Sequence, residues 1–164
     1  MLLCFDLPDP LKQQLYQELC NADYRISRTT PFGFASFLLP LIVQNFDRAV
    51  WSCRDLIREL ESHRPNPIKP DMQYVRMHEI ARHAIHSTEM LGTSLTVLDG
   101  MISELSLFAK CTGREEEVSG IERDLNFHRS TLRCLQLRSA ALEDRLRNEI
   151  NLVGNIEHGY SSSR

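Results

Sequence analysis

From Met72 to Ile156 the chain contains no proline. Over that stretch no backbone donor is removed and no ring forces a kink, so very long helices become available. Periodicity then decides how they pack. Met77, Ile80, Ala84, Ser87, Leu91, Ser94, Leu98, Met101, Leu105 and Phe108 follow one another at steps of three and four. Val118, Ile121, Leu125, His128, Leu132, Leu135, Ser139, Leu142 and Leu146 do the same. Two unbroken seams of this kind predict coiled-coil-like packing of helix on helix.

A third seam lies upstream, through Leu39, Ile42, Phe46, Ala49, Cys53, Leu56 and Leu60. It ends at HRPNPIKP, residues 63–70, where prolines exclude further helix. The second helix closes at Lys110-Cys111-Thr112-Gly113-Arg114, with Gly113 suited to a left-handed C-terminal position and Glu115 to Glu117 favouring the next helix start. Short connections between long helices make neighbours antiparallel. Each of the last two helices is expected to run roughly 60 Å.

The sequence therefore predicts an all-α fold: an elongated antiparallel three-helix bundle, coiled-coil-like, with a short N-terminal helical segment packed on it. Residues 1–37 form that segment, with a helix from about Asp9 to Cys20 along Leu11, Leu15 and Leu19 and a loop after it. The bundle occupies 38–156, with helices at about 38–63, 71–111 and 114–156. A disordered tail is expected at 157–164. The small seam residues Ala84, Ser87, Ser94 and Ser139 allow close helix approach.

Composition excludes several classes of function. A formal net charge of -3, with basic and acidic residues interspersed, lacks the footprint of a nucleic-acid binder. Five cysteines, odd in number, widely spaced and without a CxxC pair, fit neither a disulfide framework nor a zinc knuckle, and they suit a reducing cytosol. The most apolar stretch, PFGFASFLLPLIV, is broken by Pro40 and falls short of the roughly 20 residues a bilayer requires. The N-terminus lacks the basic and apolar regions of a signal peptide. A cytoplasmic chain without a membrane span is expected.

The stretch HEIARHAIHSTE, residues 78–89, concentrates histidine and glutamate. At 100° per residue, His78, Arg82, His86 and Glu89 fall on the face turned away from the seam. His78 and His83 are five apart and diverge by about 140°, so the two-histidine zinc motif of metalloproteases is absent. His83, His86 and Glu79 lie within one turn's reach of a common ion, but a solvated or partner-facing stripe is the favoured reading. No metal ligand is named. His128 sits in a seam, where a satisfied core histidine is favoured over a ligand. No serine or cysteine pairs with a base at these spacings, so no catalytic residue is assigned. Trp51 falls opposite the first seam, among Asp47, Arg54, Asp55 and Arg58; either the N-terminal segment covers it, through Leu3, Phe5 or Leu7, or it anchors a partner.

Three blocks, FDRAVWSCRDLIRELESHR, MHEIARHAIHSTEMLGTSLTVLDGMI and LRCLQLRSAALEDRLRNEINLVGNI, resemble in that order the cytosolic helical region of fungal CorA-like magnesium transporter proteins. The resemblance covers roughly residues 31–153, with RHAIHSTE and RLRNEINL as its most distinctive strings. It implies a last long helix acting as a stalk towards the membrane, a Gly-Met-Asn motif at the pore mouth and five subunits around an ion path. Here the chain reads GNIEHGYSSSR after Asn151-Leu152-Val153, and the pore elements are not in the sequence. Magnesium or another divalent cation enters only through the resemblance; no cofactor is assigned from the residues.

The expectation is a non-enzymatic helical domain, a truncated, regulatory or assembly relative of a metal-ion transporter. Its partners would be a CorA-like membrane transporter or further copies of itself, with a monomer or weak oligomer expected. The alternative is a free-standing protein–protein interaction module, contacting its partner through Trp51, His78, Arg82, His86 and Glu89. A zinc hydrolase using Glu79, His83 and His86 is the third class.

Overall fold

The computed structural model describes residues 7–21, 30, 32–62 and 70–161. The described residues are all-α, in four helices: α1, Asp9–Asn21; α2, Ala35–Ser62; α3, Pro70–Thr112; and α4, Glu115–Ser161. The last three are long, at 28, 43 and 47 residues. They divide between two compact units, Met1–Asn45 with Leu95–Leu132, and Phe46–Ser94 with Arg133–Arg164.

In the first unit α1 lies against the start of α2. Leu15 is buried and Leu11 and Leu19 half-buried, the stripe its sequence predicts. The expected start of α2 at about residue 38 is corrected to Ala35. A turn delivers the chain there, with the amides of Gly33 and Ala35 donating to the carbonyls of Thr30 and Phe32, and that of Leu38 to Phe34. The earlier start places Pro40 inside the helix, where its missing N–H forgoes one backbone hydrogen bond. Burial of Ala35, Leu39 and Leu41 on this turn offsets that loss.

The same unit holds the α3–α4 connection. Gly113 adopts φ 66°, and the Arg114 amide donates to the Ala109 carbonyl at 3.1 Å, the Schellman closure that the sequence leads one to expect. The first α4 bond runs from the Val118 amide to the Arg114 carbonyl, and Arg114 pairs with Glu117 at 3.2 Å. Leu98, Leu105, Val118, Ile121, Leu125 and Leu132 form the core of this unit.

In the second unit, Thr88 of α3 meets Ser139 of α4, while Gly92, one turn further along α3, faces Gln136. The partner index falls as the α3 index rises, so the two helices are antiparallel here. Arg76 reaches Glu59 of α2 at 3.1 Å, and Arg145 of α4 grips both carboxylate oxygens of Glu61 at 2.6 to 2.7 Å. Met77, Ile80, Ala84, Leu91, Leu135, Ser139, Leu142 and Leu146 are buried, as their seams predict.

The first seam needs correction in this unit. Ala49 and Leu56 face solvent, Leu56 at 39 % exposure, while Val50 and Ile57 are buried at 1 % and 0 %. Both routes share Phe46, Cys53 and Leu60, and each keeps steps of three and four. The observed one buries the larger β-branched pair, worth about 1.5–3 kcal/mol per fully enclosed side chain.

The α4 helix also runs to Ser161, through the boundary at 156 where a disordered tail was expected to follow. Val153 is buried, and no proline interrupts the segment. Residues 162–164 lie outside the described residues.

Candidate interaction surface

His78, Arg82, His86 and Glu89 all lie exposed on one face of α3, with the exposed Glu79 beside them and the exposed His83 on the flank. Among the described residues no three His, Cys, Asp or Glu side chains converge to hold a metal ion. The stripe is more structured than its polar residues alone indicate. Tyr74 meets the His78 ring edge-to-face, with centroids 4.5 Å apart and planes at 75°. Val75 and Ile85 share this outward side, exposed at 58 % and 42 %. Val75, His78, Arg82, Ile85 and Glu89 thus step by three and four on the solvent side, a mixed apolar and charged stripe of the kind that receives another helix.

Trp51 belongs to a different arrangement. Its indole N–H donates to Asp47 Oδ1 at 3.0 Å, one turn back on α2. The guanidinium carbon of Arg54 stands 4.2 Å from the ring centroid and that of Arg138, from α4, 4.3 Å. Arg54 is held in turn by Asp55 at 2.6 Å. The cover on this tryptophan is therefore cationic, the indole quadrupole attracting two guanidinium groups that also shield it from water. Leu3 and Phe5 lie outside the described residues, and Leu7 is half-buried in the other unit.

Arg138 is the residue that sequence reasoning missed. Arg54 lies one turn from Trp51 and is visible in the local pattern, whereas Arg138 arrives from the far end of the chain. No local signal announces it.

Among the described residues, two titratable groups depart from their ordinary values. Burial pushes the pKa of His128 down, against the opposing pull of the Asp124 carboxylate. Its Nδ1 is shut away from solvent without a hydrogen-bond partner among the described residues, and the ring lies edge-to-face with Phe127 at 5.4 Å. The ring packs in the seam, but half-buried and with Nδ1 unpartnered it is not the satisfied core histidine expected there. Burial likewise raises the pKa of the Cys53 thiol, which keeps it protonated and unreactive. Among the described residues no helix is long and apolar enough to cross a membrane.

Comparison with known proteins adds one relative. Notoamide biosynthesis cluster protein M′ of Aspergillus versicolor is 29% identical over 147 residues, a match covering 76% of this chain and 31% of that protein. The chain therefore spans less than a third of the length of that relative. No protein-family model and no solved structure matches it.

Proposed function

We propose that this chain is a non-enzymatic helical domain that works by contact, akin to the cytosolic helical region of CorA-like divalent-cation transporters, in the assembly or regulation of a membrane partner. One observation carries the reading: the residues with most chemical potential, His78 to Glu89, are displayed along the outside of α3 and not gathered around an enclosed point. Catalysis needs a nucleophile, base and electrostatic donors fixed within hydrogen-bond reach of one another. A displayed stripe suits recognition. The order of the three sequence blocks supplies the kinship, and the name of the A. versicolor relative specifies no reaction.

Co-expression with a full-length CorA-like transporter and co-purification in detergent tests the proposal. The chain is expected to be retained with the transporter and to be lost when Arg82→Glu reverses the charge of the α3 stripe. A chain that neither co-purifies nor alters magnesium uptake overturns the transporter reading.

The alternative, a free-standing interaction module, draws on Val75 and Ile85, whose exposed aliphatic groups give the same stripe an apolar anchor. Its partner would be a soluble helical protein. Capture of such a partner in membrane-free extract, abolished by Ile85→Asp, favours it.

A further inference from the structure

The α4 helix carries a second stripe, on the side facing away from its core seam. In the second unit, Cys134, Leu137 and Ala141 step by three and four, and all are exposed, Leu137 at 67 %. They alternate with the buried Leu135, Ser139 and Leu142, so this is the helix's outer face. A large side chain between two small ones offers a knob flanked by two hollows, the relief that an opposing helix fills.

Charge settles what kind of helix. Residues 133–142, RCLQLRSAAL, contain two arginines and no carboxylate. Arg133 and Arg138 stand on opposite flanks of the stripe. Three other arginines of α4 are matched, Arg129 by Asp99, Arg145 by Glu61 and Arg147 by Glu143 and Asp144. Among the described residues neither Arg133 nor Arg138 has a carboxylate partner, and Arg138 is oriented by Trp51. The stripe is thus bordered by uncompensated positive charge, with one guanidinium already positioned.

We infer that the outer face of α4 around Leu137 docks an acidic amphipathic helix of another protein, its aliphatic side chains seated over Cys134 and Ala141 and its carboxylates meeting Arg133 and Arg138. A second copy of this face is a poor occupant, because it would set arginines against arginines. A lipid surface has no use for the small–large–small relief. The inference rests on the reading of the chain as a domain that works by contact, but not on its kinship to transporters. It concerns α4 and not the α3 stripe, so co-purification with a transporter and the titration below can fail independently.

The test uses the full chain and a synthetic helical peptide on the order of four heptads long, with leucine at the seam positions and glutamate on both flanks. Fluorescence anisotropy is expected to show saturable binding, and none to the same peptide with lysine flanks. Leu137→Asp and Arg133→Glu are each expected to weaken it by at least about tenfold. Arg133→Glu should also raise binding of the lysine peptide. Both positions are exposed, and circular dichroism of the variants verifies that each remains helical. Equal binding of both peptides overturns the inference, as does binding indifferent to Leu137→Asp. So does preference for vesicles of phosphatidylcholine and phosphatidylserine over the acidic peptide, or self-association that Leu137→Asp abolishes.

Discussion

The hydroxyls of Thr88 and Ser139 lie 2.9 Å apart, joining α3 to α4 inside the second unit. Thr88 Oγ1 is also 3.0 Å from the Ala84 carbonyl, so when its proton goes there, Ser139 donates across the helix pair. Ser139 is buried, and this contact lets a polar group occupy a core seam without an unpaired hydroxyl. Thr88→Val removes the acceptor while leaving the buried hydroxyl, and should cost about 1–3 kcal/mol. Adding Ser139→Ala should recover part of that loss. Urea unfolding of the two single variants and the double variant measures the coupling, and strictly additive losses would show that the pair does not act together.

Ile57 and Leu56 are adjacent in sequence and opposite in environment. Ile57→Ala is expected to cost about 2–4 kcal/mol, since it opens a hole in a filled core. Leu56→Ala should cost less than about 1 kcal/mol. Equal losses in chemical denaturation would contradict the observed register of α2.

That register marks the limit of what the sequence discloses. The seams of α3 and α4 are largely legible because most of their core aliphatic residues keep one phase, although on α3 Leu95 and Ala109 are buried where the seam named Ser94 and Phe108, both half-buried. Gly113 is legible because only a left-handed residue closes the helix there. On α2, Ala49 with Leu56 and Val50 with Ile57 satisfy the same spacing around Phe46, Cys53 and Leu60. Only packing against the other helices chooses between them. The outward face of His78, Arg82, His86 and Glu89 follows from the α3 phase alone. The Arg138 contact with Trp51 does not, because it joins residues whose proximity exists only after folding.

Gly100 and Gly120 lie within helices, and a Cβ built on either meets nothing within 4 Å. Alanine at each should therefore stabilise the fold by roughly 0.5–1 kcal/mol, through reduced unfolded-state entropy and higher helix propensity. Gly113→Ala has open space too, but its φ of 66° makes a side chain unfavourable, by roughly 1–2 kcal/mol. Melting temperatures should rise for the first two variants and fall for the third.

Trp51 is the sole tryptophan, so its fluorescence reports the guanidinium cover directly. Arg138→Ala should shift the emission to longer wavelength and increase quenching by acrylamide, with a stability loss of roughly 0.5–1 kcal/mol. Arg138→Lys keeps the charge but loses the planar stack, and should quench at a rate between the two. Unchanged quenching in Arg138→Ala would mean that the indole is sheltered by something else.

His128 couples the fold to pH. Its pKa in the folded state lies below the ordinary histidine value because burial penalises the charged ring, Asp124 opposing only in part. As pH falls through about 6.5, the unfolded chain takes up a proton at this position that the folded chain still refuses. Stability therefore declines from neutral pH downwards, and this contribution stops growing once the pH passes below the folded-state pKa. His128→Leu removes the titrating group, fills the seam position and leaves no orphaned Nδ1, so it should stabilise the chain near neutrality and more so in acid. The measurement is urea unfolding of both proteins between about pH 8 and pH 5, where the wild type should lose stability more steeply than the variant. Parallel curves would place the acid sensitivity elsewhere and show that His128 ionises in the fold as readily as in the open chain.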